Sequence, residues 1–209
     1  MNKPALHFAL LLLLAVVVLF TNLGGPRLWD RDEPRNAGCA AEMLARGDWV
    51  VPVFNAEIRT HKPVLLYWVM VASYALLGVG EFSARLPSAA LAVGTVLYPS
   101  LVARRHFSPP PALWAAAILT TALMFNIAAR AATPDSTLIF FATAALTAYV
   151  LTTFREPRGE GQNATLRAPG RWFPENRLSI LAIYACTALA MLAKGPVGVV
   201  LPCAVIGMF

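Results

Sequence analysis

LWDRDEPRNAGCAAEMLARGDWVVPVFNAEIRTHKP (residues 28–63) and VLLYWVMVASYALLGV (residues 64–79) stand side by side near the start of the chain. The first is polar. It holds six of the eleven acidic residues (Asp30, Asp32, Glu33, Glu42, Asp48, Glu57), with Arg31, Arg35, Arg46, Arg59, His61 and Lys62 among them. The second is apolar but only 16 residues long, short of the roughly 20 that cross a bilayer as a helix. It carries Tyr67, Trp68 and Tyr74, aromatic types that favour membrane interfaces. How this pair is read decides how every later segment lies against the membrane.

The surrounding sequence is apolar. The chain of 209 residues is 58% hydrophobic and 13% charged, with a mean hydropathy of +0.61. Soluble domains are about a quarter charged. An all-α, polytopic membrane protein follows. The net charge of +6 then belongs to Lys- and Arg-rich cytoplasmic loops rather than to nucleic-acid binding. Cys39, Cys186 and Cys203 lack metal or disulfide spacing and read as small apolar fillers.

Transmembrane helices are expected at about 5–23, 86–103, 112–129, 136–154, 178–193 and 196–209. The first lacks a convincing cleavage site after it, so it reads as an uncleaved anchor. Residues 24–85 form one external loop, with 64–79 as an interfacial or re-entrant segment. This choice comes from counting. If 64–79 spanned, Arg104 and Arg105 would lie outside and Asp135 inside. If it does not, Arg104–His106 and the loop 155–177, with five arginines against three glutamates, are cytoplasmic with the N-terminus. Residues 28–63, Asp135 and Lys194 then share the outer face of the cell's inner membrane. Asn163-Ala164-Thr165 matches a glycosylation sequon but falls on the cytoplasmic side. The last apolar run is still open at Phe209, which points to a longer protein.

Within the polar stretch, Asp32-Glu33-Pro34 reads as a helix start with Asp32 as cap, and Gly47 as its stop. Trp49 and Phe54 are expected along the headgroup region. The ionisable residues admit two readings. Asp32 and Glu33 are a cap and a dipole-favoured acid, or a general base or cation ligand. Arg130 with Asp135 is a snorkelling pair, or part of a site. Lys194 is a helix-end cation, and a lone His such as His61 is more often structural than a ligand. Together they place carboxylates, cations and an imidazole on one face, a set suited to an anionic substrate such as a lipid phosphate.

The order Asp32-Glu33-Pro34-Arg35, Glu42-Met43-Leu44, Gly47-Asp48-Trp49-Val50-Val51-Pro52, Asn55, Lys62-Pro63-Val64-Leu65-Leu66-Tyr67-Trp68 and Ala84-Arg85-Leu86-Pro87-Ser88 resembles the ArnT-like and protein-mannosyltransferase-like membrane glycosyltransferases of the GT-C fold. Pro134-Asp135 and Lys194-Gly195 continue it. The resemblance implies that the chain is the N-terminal part of one GT-C-like domain. It implies transfer of a sugar from a polyprenyl-phosphate donor to a lipid, glycan or protein acceptor outside the membrane. It maps the catalytic acids onto Asp32, Glu33 and Asp135. Substrate-binding cations map onto Lys62, Arg35, Lys194 and Arg130. Two positions depart from the pattern. The residue before Lys-Pro, commonly a metal-ligating Glu in ArnT-like members, is His61, whose imidazole can also hold a zinc-like divalent ion. A Tyr common after the acidic motif is Asn36. No organic cofactor is expected. The alternatives are a secondary transporter, which places charges in mid-helix, and an inactive fragment of such a transferase.

Overall fold

The computed structural model describes residues 3–29, 31–106, 109–154, 174 and 176–208. Most of the expected loop 155–177, with four of its five arginines and the sequon, lies outside the described residues. The elements are α1 (Lys3–Phe20), α2 (Asp32–Arg46), β1 (Val53–Phe54), β2 (Glu57–Ile58), α3 (Leu65–Leu77), α4 (Glu81–His106), α5 (Pro109–Thr121), α6 (Leu123–Arg130), α7 (Pro134–Thr153), α8 (Arg177–Lys194) and α9 (Val197–Met208).

Helix α4 is the axis of the bundle. It touches α1, α3, α5, α6 and α7, and α7 packs in turn on α8 and α9. Its 26 residues reach about 39 Å, longer than the expected 86–103. Two prolines sit inside it, Pro87 and Pro99. A helical proline frees the carbonyl four residues back. For Pro87 that is Ser83, and the Ser73 hydroxyl of α3 donates to this oxygen at 2.7 Å. Small residues set the helix contacts, as in membrane bundles generally. A Cβ added at Gly198 of α9 would fall 2.2 Å from the Ala190 carbonyl carbon of α8.

By length and composition, α7 and α8 can cross a membrane, and α5 with α6 makes a third crossing if taken as one. The apolar parts of α1, α3 and α9 are shorter. The span expected at 112–129 is not one straight helix. It breaks at Ala122, whose backbone is extended, and bends by 63°. Asn126 donates through Nδ2 to the carbonyls of Thr120 (2.6 Å) and Ala122 (3.1 Å). The Ala122 carbonyl also accepts the Asn126 backbone N–H at 3.0 Å, so it is the Thr120 carbonyl, freed by the break, that gains its partner from this side chain.

Residues 32–77 fold into a lobe that packs on α4 through α3. Ala37, Ala40 and Met43 of α2 pack on Leu66, Tyr67, Met70 and Tyr74 of α3. Tyr67 and Tyr74, expected at the interface, are buried against α2 instead. Only Trp68 of the three aromatics is well exposed, and its indole N–H donates to the Trp49 carbonyl at 2.6 Å. At 13 residues, about 20 Å, α3 is too short to span. Gly47 ends α2 in the left-handed conformation (φ 66°). Asp32 does not cap α2: the N-cap is Arg31, with no side-chain cap bond, and the Asp32 carboxylate is used elsewhere. Strands β1 and β2 form an antiparallel hairpin, Val53 opposite Ile58. Its turn residues Asn55 and Ala56 both have positive φ (53° and 63°), the geometry of a tight hairpin turn. Glu42 of α2 accepts the Asn55 N–H at 2.9 Å. Phe54, expected at the headgroups, lies across Gly38 of α2, where a Cβ would come within 2.6 Å of its ring.

Candidate functional site

A cleft of about 610 Å³ opens between α2, the hairpin and the strap that leads into α3. Helix α2 contributes Asp32 and Arg35, the hairpin Phe54 and Glu57, and the strap Arg59, His61 and Lys62. The Lys62 ammonium donates to Asp32 Oδ2 at 3.0 Å across 30 residues of sequence. That hydrogen bond is the main reason the Asp32 carboxyl lies below its ordinary value of 3.8. Burial opposes it, and the charges of Lys62, Arg59 and Arg35 add to it. At rest the acid is therefore a weak proton acceptor with its charge partly spent.

Arg59, which the sequence reading passed over, is fixed from two sides. Its backbone N–H donates to the Pro52 carbonyl at 2.8 Å and prolongs the hairpin. Its Nε donates to the Tyr67 hydroxyl at 3.0 Å and its Nη2 to Asn36 Oδ1 at 3.1 Å. Asn36 is fully buried and donates through Nδ2 to the Ala132 carbonyl at 3.0 Å. The Asn that replaces a Tyr of the resembled pattern is thus the bracket that holds this arginine.

Glu33, expected among the catalytic acids, does not line the cleft. It is 3% exposed. Arg85 of α4 grips it with two bonds, Nη2 to Oε2 at 2.8 Å and Nε to Oε1 at 3.0 Å. The backbone N–H groups of Trp29 and Ala132 donate to the same carboxylate at 3.0 and 2.7 Å. Arg85 also donates to the carbonyls of Leu23, Pro26 and Arg27. This buried pair ties α2 to α4, to the turn after α1 and to the segment before α7. Burial alone would raise the Glu33 carboxyl, but the Arg85 guanidinium and the two N–H groups outweigh it and hold it below 4.5. A depressed native value contributes stability that is complete above the unfolded value and lost as pH falls through the native one. Thermal unfolding is therefore expected to be flat from pH 8 to about 5 and to drop in more acid solution. Glu33→Gln should lose the part of that acid limb that comes from this carboxyl.

Asp135, at the first turn of α7, forms an ion pair with Lys194, the last residue of α8. The pair does not line the cleft. It stands beside the start of α3, because Leu65 packs with Leu138, Ala190 and Ala193 on the same helix ends. Arg130 is drawn elsewhere: its Nη2 donates to the Thr21 carbonyl at the end of α1 at 2.6 Å. His61 is exposed at the cleft. Among the described residues no three His, Cys, Asp or Glu side chains gather as a metal site. Of the acids sharing its cleft, Asp32 is bonded to Lys62. Among the described residues the donors around His61 do not make up the site of a resident ion.

A cleft lined by Arg35, Arg59 and Lys62 is thus carried on an apolar helical scaffold of the kind that membrane proteins have. The sequence matches the dolichyl-phosphate-mannose-protein mannosyltransferase family over residues 8–209, and the chain belongs to that family. Its fold is the GT-C helical membrane fold of ArnT from Cupriavidus metallidurans. The crystal structure of that protein bound to undecaprenyl phosphate aligns with TM-score 0.81 and 31% identity, over 100% of this chain and 36% of that one. The undecaprenyl phosphate-alpha-4-amino-4-deoxy-L-arabinose arabinosyl transferase of Edwardsiella ictaluri (strain 93-146) is 37% identical over 72% of this chain and 27% of its own length. An uncharacterized protein of Aquifex aeolicus (strain VF5) is 35% identical over 84% of this chain and 36% of its length. The chain thus spans about a third of the relatives it matches.

Proposed function

We propose that the cleft receives the phosphate of a polyprenyl-linked sugar donor, and that the whole protein transfers the sugar to a lipid, glycan or protein acceptor at the outer face of the membrane. The observation that carries this reading is the Asp32–Lys62 pair in the cleft, on the fold of a relative crystallised with undecaprenyl phosphate. In the reaction the bond between the sugar's anomeric carbon and the phosphate oxygen breaks. The acceptor oxygen forms the new bond to that carbon, and its proton passes to Asp32. The leaving phosphate keeps the bonding electrons, and Lys62 stabilises the charge that grows there.

The resting ion pair serves this chemistry. When Lys62 turns to the phosphate, Asp32 loses the hydrogen bond that chiefly depresses it. Its proton affinity rises at the moment a base is needed. Asp135 with Lys194 supplies a second charged pair on the same face. A transporter reading expects charges in mid-helix. Here Arg130 and Lys194 end their helices and Asp135 opens one.

The test uses membranes that contain the full-length protein, incubated with labelled polyprenyl-phosphate sugars. A labelled product is expected, and none with any such donor overturns the reading. Lys62→Gln should weaken donor binding roughly 10–100-fold, the worth of one charged hydrogen bond. Cysteines placed at 57 and 106 check the topology: 57 should label from outside and 106 should not.

A further inference from the structure

In the resting cleft the charge of Lys62 is already engaged by Asp32. The cation best placed to receive an anion is therefore another residue. Arg35 lines the cleft but is exposed, and no described residue bonds it. Arg59 is half-buried and oriented by two neutral acceptors, the Tyr67 hydroxyl and the Asn36 amide oxygen. Both acceptors sit on one edge of the guanidinium, at Nε and Nη2. Among the described residues no acceptor takes Nη1 and no carboxylate pairs with Arg59. Burial pushes the Tyr67 phenol up to about 12, so this partner stays neutral at working pH. The result is an arginine whose position is fixed and whose charge acts on Asp32 from a distance but is held in no ion pair among the described residues, three residues from Lys62 in the same cleft. Fixing the fork beforehand lowers the entropy lost when it grips an oxyanion.

We infer that Arg59 is the side chain that first captures the phosphate of the lipid-linked donor, holding it while Lys62 exchanges Asp32 for the same phosphate. This rests on the function proposed above and adds an order of events to it. Asn36 and Tyr67 act through Arg59, as positioning residues. Arg59 thus does two things: it binds the donor before the catalytic acid is released, and it keeps positive charge in the cleft once Lys62 has moved.

The test is the affinity of the full-length protein, in lipid nanodiscs, for undecaprenyl phosphate, read with the melting temperature of each variant. Arg59→Gln should weaken binding roughly tenfold, and Arg59→Lys should recover part of the loss by restoring the charge without the fork. In an Asp32→Asn background Lys62 is already free, so the penalty of Arg59→Gln should shrink. A purely structural role for Arg59 predicts a lower melting temperature with unchanged affinity, and that result overturns the inference. So does an Arg59→Gln penalty of the same size with and without Asp32. Lys62→Gln separates the two levels. If it loses binding while Arg59→Gln does not, only the role of Arg59 falls. If it too binds normally, the reading of the cleft falls with it.

Discussion

Asp32→Asn in the full-length protein is expected to cut sugar transfer by about 10²–10⁴, the usual worth of a positioned general base. The amide keeps the size of the carboxylate but cannot accept the proton of the acceptor hydroxyl. Asp32 is partly exposed, its side chain at 43%, so its ion pair with Lys62 adds little to folding. Expression and membrane insertion should therefore be unchanged. The kinetic pattern is specific. The turnover rate should fall while donor binding holds or tightens, because Lys62 no longer has a competing partner in the protein. Initial rates at varied donor concentration check both. Near-normal turnover would remove Asp32 from the chemistry.

Glu33→Ala and Arg85→Ala are each expected to leave little folded protein. Breaking a buried ion pair from one side costs about 3–5 kcal/mol. Here both side chains are at most 6% exposed. An apolar double replacement often restores a buried pair of charges, but not at this site. Glu33 also accepts two backbone N–H groups and Arg85 donates to three backbone carbonyls. Glu33→Leu combined with Arg85→Met leaves all five without these partners, at about 1–3 kcal/mol for each that stays buried. The yield of monodisperse protein in detergent and its melting temperature check this. Full recovery in the double variant would show that the pair is not the keystone of the lobe.

The contrast between these neighbours shows what the sequence could reveal. Asp32 and Glu33 are adjacent and chemically alike, and a sequence reading gives them one role. Their environments are set by residues far along the chain. Lys62 lies 30 positions from Asp32, while Arg85 and Ala132 lie 52 and 99 positions from Glu33. Local pattern carries the helix after Asp32 and its end at Gly47, because capping and propensity act within a few residues. It also carries the long apolar runs. It does not carry the hairpin, since Asn55-Ala56 lacks the glycine that marks most such turns. The break at Ala122 is masked by an apolar run that continues through it, although Asn126 inside that run was a usable sign. Tyr67 and Tyr74 read as interfacial by residue type, yet α2 covers them. Arg59 looked like one more loop cation. Only the geometry of Asn36 and Tyr67 around it sets it apart.

The claim on which the rest depends is that the lipid-linked phosphate enters the cleft of the first polar lobe. The most direct measurement is photo-crosslinking with an undecaprenyl phosphate analogue that carries a diazirine next to the phosphate, on the full-length protein in membranes. Adducts should map to peptides covering residues 54–62, be displaced by excess undecaprenyl phosphate, and fade in Lys62→Gln. Adducts confined to the outer surfaces of α8 and α9, indifferent to competitor and to Lys62, would contradict it.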